Sequence, residues 1–262
     1  MIWNISELIL FVVVLGLFLA AIELGFRFGR KYSRGHDTAL ADHLSALQSA
    51  LFGLLALLLG FTFAMSIQRF DTRKQLVLEE ANSIGTAYLR SRFLTGNFSK
   101  EASLLLREYI GLRLEFYYAG NDTAKIEAAA GKAAIIEKQL WNIAVQSAKG
   151  SPDPIFTSLF IQSLNDVIDD NEKRRVALDN HVPEPVIVLL FSVSIFGMGF
   201  IGYNYGLSGR HRHGSTAFFA LLIASVLIII LDIDRPRSGL IQVSQASLER
   251  LQEQINREHV TQ

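Results

Sequence analysis

A group of charged side chains closes the last apolar run of the sequence. Asp232, Asp234 and Arg235 follow an uncharged stretch directly and precede a proline. Charges at the end of an apolar helix are costly unless they are paired, and carboxylate oxygens are the ligands that calcium and magnesium prefer. We interpret the group as a structural clamp that joins this helix to charges elsewhere in the chain. A cation site that also uses Glu80, or a role in an ion pathway, is the alternative interpretation.

A second set of polar residues recurs at spacings of three, four or seven between positions 62 and 90. Such spacings place side chains on one face of a helix. The set consists of Thr62, Ser66, Arg69, Arg73, Glu80, Ser83 and Arg90. This face either meets water and the polar groups of other helices, or lines an ion conduit or ion site at a subunit interface. In the same segment, Glu79, Glu80 and Asn82 are assigned to the predicted clamp or ion site at 232–235.

Other reactive groups give little support for catalysis. The chain has no cysteine, which excludes disulfides and thiolate metal sites. His211 and His213 could bind zinc, but no third ligand has a suitable spacing, so a solvated basic loop is the favoured interpretation. The segment GMGFIG at 197–202 matches the nucleotide-binding pattern G-x-G-x-x-G within an apolar run, where its glycines are predicted to serve close helix contact. We predict neither an enzyme nor a cofactor.

Four uncharged runs must position these residues. The 262-residue chain is 50% hydrophobic and only 19% charged, and the charge deficit is concentrated at 8–22, 44–68, 185–209 and 214–231. About 20 apolar residues cross a hydrocarbon core of about 30 Å. The sequence therefore predicts an all-α membrane protein with four transmembrane helices, and the lipid bilayer as its surroundings. Basic and acidic residues are equal at 25 each, so no nucleic-acid partner is predicted.

The stretch between the second and third runs has a different character. Residues 70–182 are rich in charge and contain three amphipathic segments, at 100–119, 123–149 and 154–180. We predict a helical domain inserted between two pairs of membrane helices and continuous with the second helix. The predicted division is 1–69 for helices one and two, 70–182 for the helical domain, 183–235 for helices three and four, and 236–262 for a polar tail.

The basic residues near the helix ends favour one orientation. Arg27, Arg30, Lys31 and Arg34 crowd the connection between the first two helices, whereas no basic residue precedes the first helix. Because cytoplasmic connections carry an excess of Lys and Arg, this connection is predicted to be cytoplasmic. The N-terminus and the helical domain then lie outside.

Three segments resemble the bestrophin-like family of bacterial membrane proteins, catalogued as a domain of unknown function. The first comprises GFTFAM at 60–65, RFD at 69–71 and EEANSIGTAYLR at 79–90. The last is LDIDRP at 231–236, followed by Gly239, Ile241, Val243 and Ser244; the middle one is formed by Asn165, Asp169 and Arg174 ahead of HVP at 181–183. The resemblance implies a four-helix protein of the bacterial inner membrane.

The family name connects these proteins to bestrophins, which are homopentameric anion channels lined by the second helix. The resemblance therefore implies a homo-oligomer, with a pentamer and inorganic anions as its expected features. The proline-rich neck and the acidic calcium clasp of bestrophins are absent, and the bestrophin helical region is cytoplasmic, against the charge distribution. In a pore of this kind, Phe61 and Met65 would form an apolar gate, Thr62 and Ser66 would border it, and Arg69 and Arg73 would favour anions. A non-conducting membrane scaffold or sensor is the alternative.

Overall fold

The computed structural model describes residues 7–32, 38–150, 154–209 and 213–260. Over these ranges the chain forms eight helices and no strand, which confirms the predicted all-α fold. The helices are α1 (Glu7–Tyr32), α2 (Thr38–Ser91), α3 (Asn97–Tyr118), α4 (Thr123–Gly150), α5 (Pro154–Asp179), α6 (Glu184–Leu207), α7 (His213–Asp234) and α8 (Ala246–Val260).

Among the described residues, four helical stretches are long and apolar enough to cross a membrane, as predicted. They cover Glu7–Tyr32, His43–Ser91, Pro154–Leu207 and Gly214–Asp234. The uncharged part of the third stretch corresponds to α6. Pro183 is the residue that caps α6, and Pro185 falls in its first turn, where a missing backbone N–H leaves no helical hydrogen bond unmade.

The chain divides into two compact units. The first comprises Met1–Gln68 and His181–Arg235, and the second comprises Arg69–Asn180 and Pro236–Gln262. The 54-residue helix α2 contributes to both units, and it is unbroken because it contains no proline. At 1.5 Å per residue, a helix of this length is about 80 Å long.

Glycines bring α1 and α6 into direct backbone contact within the first unit. A Cβ added at Gly25 or Gly202 would collide with a carbonyl oxygen of the other helix, that of Gly199 or Ile22 respectively. A Cβ added at Gly206 would likewise collide with the carbonyl oxygen of Phe26. In lipid, where apolar burial does not drive helices together, such close van der Waals contact does. The expected role of the glycines at 197–202 in helix contact is therefore confirmed at Gly202.

The second unit has a hydrophobic core of its own. Its fully buried side chains come from α2, α3, α4, α5 and α8, and include Ile84, Leu106, Leu140, Leu164 and Leu248. The three amphipathic segments predicted at 100–119, 123–149 and 154–180 correspond to α3, α4 and α5. Residues 236–262, described above as a polar tail, contain α8, which contributes apolar side chains to this core.

The α1–α6 contact leads to a stability prediction. We expect Gly202→Ala to lower the melting temperature of the detergent-solubilised protein, because the new methyl group meets backbone that cannot move aside cheaply. Such overpacking typically costs about 1–3 kcal/mol. The control is Gly16→Ala in α1, where a Cβ meets no atom within 4 Å. Equal melting temperatures for the two variants would contradict the assignment of Gly202 to a tight helix contact.

Candidate functional site

A buried carboxylate joins three helices of the second unit. Glu80, on α2, is fully buried and binds two arginines at once. Its Oε1 atom accepts a hydrogen bond from Nε of Arg113 on α3 at 2.5 Å, and its Oε2 atom accepts one from Nη1 of Arg174 on α5. Arg174 also donates to Oε1 of the buried Gln245, just before α8. We call Glu80, Arg113, Arg174 and Gln245 the Glu80 network.

Aromatic rings and a third arginine surround this network. The guanidinium of Arg113 lies 4.8 Å from the centre of the Phe116 ring, and that of Arg237 lies 4.3 Å from the same ring. Arg174 lies 5.8 Å from the centre of the Tyr117 ring. Such placement over a ring face stabilises a cation electrostatically, more strongly where water is excluded.

Positive charge exceeds negative charge among these contacting groups. Arg113 is 1% exposed, and its Nη2 atom has no hydrogen-bond partner among the described residues. The pKa of Arg237 is lowered mainly by burial; the charge of Asp179 opposes this shift, whereas the charges of Arg113 and Arg174 increase it. The guanidiniums of Arg113 and Arg174 therefore share the carboxylate of Glu80, and both repel the guanidinium of Arg237.

A second polar group adjoins the network. Glu137 on α4 accepts hydrogen bonds from the hydroxyl of Tyr109 at 2.7 Å and from the amide of Asn171 at 2.6 Å. Burial raises the pKa of Tyr109 well above its ordinary value of 10.0, so the phenol stays protonated and can donate. The hydrogen bonds thus tie α3 and α5 to α4 through one half-buried carboxylate.

Arg69 and Arg73, on α2, contact one end of α5. Arg73 is buried and donates to the carbonyl oxygens of Ala177 at 3.0 Å and Asn180 at 2.9 Å, while Arg69 donates to the side-chain oxygen of Asn180. The last carbonyls of a helix lack partners within the helix and carry partial negative charge. The two arginines predicted for a pore mouth therefore bind the C-terminal end of α5.

The charged group at the end of α7 is buried. Asp232, Asp234 and Arg235 are each at most 4% exposed. Within the first unit, Oδ2 of Asp234 accepts the backbone N–H of Val182 at 3.0 Å and lies 3.3 Å from Nδ1 of His181. This carboxylate thus holds the chain just before α6 to the end of α7.

In the described part of the chain, no group of three or more His, Asp or Glu side chains could hold a metal ion. The cation-site interpretation therefore has no ligand cluster to support it there. The two arginines at Glu80 supply positive charge where the cation alternative would require a metal. Glu79 is half-buried and accepts a hydrogen bond from Gln75, whereas Asn82 is exposed. Of the loop histidines, His211 and the side chain of His213 lie outside the described residues.

The predicted gate residues fall on different sides of α2. Phe61 is 65% exposed and Met65 is half-buried. Thr62 and Ser66 are buried, and Thr62 donates its hydroxyl hydrogen to the carbonyl oxygen of Leu58 at 2.8 Å. The polar stripe therefore faces into this chain along much of its length, and Phe61 stands on the face that the chain leaves open.

Four residues of the site were not predicted as site residues from the sequence: Arg113, Arg174, Gln245 and Arg237. From the sequence, Arg174 is identified only as part of the middle segment of the family resemblance. A signal for Arg113 was available, because it follows Leu106, Tyr109 and Ile110 at the spacing of one helix face. That face is apolar, so an arginine within it predicts a buried partner. For Gln245 and Arg237, which precede α8, no comparable pattern exists.

These features define a four-span, all-α membrane protein with a separately cored helical unit. The family described as Bestrophin-like matches residues 12–248. The chain belongs to the Bestrophin-like family.

Solved structures share the fold at low sequence identity. A bacterial bestrophin homologue from Klebsiella pneumoniae, phased by Zn-SAD, is 14% identical with a TM-score of 0.64, covering 95% of this chain and 97% of that one. A crystal structure of a membrane-protein variant is also 14% identical, with a TM-score of 0.66 and the same coverage of the two chains. No curated protein matches the sequence.

The Glu80 network leads to a second stability prediction. We expect Glu80→Gln to destabilise the protein by about 3–5 kcal/mol, because it leaves two buried guanidiniums without their counter-charge. Glu79→Gln is the matched control, since its half-buried side chain bonds only Gln75 among the described contacts. Thermal unfolding in detergent measures both variants. A Glu80 variant as stable as its neighbour would show that the carboxylate charge does not hold the helices.

Proposed function

We propose that the chain assembles as a homo-oligomeric anion channel of the bacterial inner membrane, with α2 of each subunit lining the pore and a pentamer as the expected assembly. The Bestrophin-like family is known for anion channels. The observation that carries the proposal for this chain is the face that α2 leaves open in its membrane-spanning part.

That face is centred on small residues. Gly53, Gly60 and Ala64 are exposed, opposite the buried Thr62 and Ser66, and a Cβ on either glycine would meet no atom of this chain within 4 Å. Small residues on a membrane helix let other helices approach its backbone closely. In the proposed assembly, the α2 helices of neighbouring subunits meet along this face and surround the conduction path.

The residues that border the open face suggest how the pore would work. Phe61 lies at its edge, and a ring of phenylalanines can close a pore by excluding water. Met65 lies one turn further along the helix and is half-buried. Arg69 and Arg73 lie beyond the apolar span on the buried side of α2, where they bind the end of α5. In this proposal their positive charge favours anions over cations from behind the pore wall and not from its surface. Thr62 and Ser66 have a packing role in this proposal.

Conduction is tested on purified protein whose mass in detergent shows it to be oligomeric. In planar bilayers with a chloride gradient, we expect a current that reverses near the chloride equilibrium potential. No current from an oligomeric preparation would contradict the channel and favour the alternative, a non-conducting scaffold or sensor. Reversal near the cation potential would contradict the predicted selectivity alone.

Two glycines allow a matched test of the pore assignment. Gly60→Leu adds a bulky side chain to the open face of α2, so we expect loss of current or of the oligomer. Gly16→Leu adds the same side chain at an exposed glycine of α1 that also has no neighbour within 4 Å, and we expect the current to remain. Phe61→Ala should raise the open probability. The pore assignment is wrong if Gly60→Leu conducts like the native protein.

For orientation, we propose that the N-terminus and the second unit lie outside and that Arg27–Arg34 is cytoplasmic. Because the chain has no cysteine, single cysteines report their side of the membrane. With an impermeant thiol reagent on spheroplasts, we expect Ala128→Cys on α4 to be labelled and Ser208→Cys after α6 to be protected. Both positions are exposed in the chain. The opposite pattern would reverse the proposed topology.

A further inference from the structure

The charge balance of the Glu80 network leaves one strong donor unused. Arg113 uses Nε to bind Glu80, and Arg174 occupies the other oxygen of the same carboxylate. Nη2 of Arg113 is buried and has no acceptor among the described residues. A buried guanidinium edge in this condition is unusual, because buried charged groups are normally paired and hydrogen-bonded.

The nearby carboxylates do not supply the missing partner. Glu137 accepts hydrogen bonds from Tyr109 and Asn171, which are neutral. Asp179 affects the pKa of Arg237, but its side chain is exposed. Within the described part of the chain, neither residue forms an ion pair with Arg113, Arg174 or Arg237.

We propose that a small inorganic anion such as chloride binds beside Nη2 of Arg113, in the combined field of Arg174 and Arg237, and completes the charge balance of the Glu80 network. A buried guanidinium edge attracts an anion strongly because little solvent screens it. Arg237 is half-buried and lies in the non-helical stretch between α7 and α8, so access to the site from this side is expected.

The site lies wholly in the second unit and does not rest on the proposed conduction. It assigns the unit a ligand that would stabilise the folded state, because an anion that binds only that state raises stability by mass action. The effect should depend on chloride itself and not on ionic strength.

The test is thermal unfolding of the full chain in detergent, with sodium gluconate replaced stepwise by sodium chloride at constant ionic strength. We expect the melting temperature to rise by about 2–4 °C or more and to saturate, since about 1 kcal/mol produces such a shift in a chain of this size. Equal melting temperatures in chloride and gluconate would overturn the proposal.

Variants separate this site from chloride bound elsewhere. Arg237→Gln should abolish the chloride-dependent rise, whereas Arg175→Gln should retain it, because Arg175 is exposed and pairs with Glu172 on the surface. A full rise in the Arg237 variant would place the chloride elsewhere and overturn the proposal.

A second variant should strengthen chloride binding instead of abolishing it. Glu80→Gln removes the competing negative charge, so the chloride concentration at half-saturation should fall about tenfold or more. Chloride should then restore part of the lost melting temperature. An unchanged half-saturation in this variant would contradict an anion bound next to Arg113, even if the native protein responds to chloride.

Discussion

One buried carboxylate, that of Glu80, compensates two buried guanidiniums from different helices. Arg113 and Arg174 can enter the core of the second unit only where α2, α3 and α5 bring them to the two oxygens of that side chain. Truncating one member of such a group leaves an uncompensated charge, although replacing the whole group by apolar residues is often neutral in energy. We therefore attribute this charged group to the selection of one arrangement of α2, α3 and α5, and not to a net gain in stability.

The face of α2 that carries Glu80 is buried over much of the helix. Thr62, Ser66, Arg73 and Glu80 follow one another at intervals of four and seven residues, and all four are buried. One face of the helix is thus buried by contacts within the chain, both in the apolar span and in the charged segment. Because a helix has only one opposite face, this commitment leaves Gly53 and Gly60 exposed.

The sequence was sufficient to predict the elements but not their partners. Apolar length located the four spans, and 3.6-residue periodicity located α3, α4 and α5, because both signals are local. It also placed Arg73 and Glu80 on one face. The spacing could not show that this face is buried, since rotation about the helix axis is fixed by tertiary contacts. The partners of Glu80 lie 33 and 94 residues away, and helix periodicity carries no information over such distances.

These facts lead to a hypothesis about why a helix in a membrane protein carries a buried ion group beyond its apolar span. Apolar side chains tolerate small rotations and shifts of a helix, whereas the charge-assisted hydrogen bonds of Glu80 require short distances and favourable angles. Moving α2 by one residue turns its faces by about 100° and would take Glu80 away from both arginines. The carboxylate therefore fixes the rotation of α2 within the second unit, where apolar packing alone would tolerate other rotations.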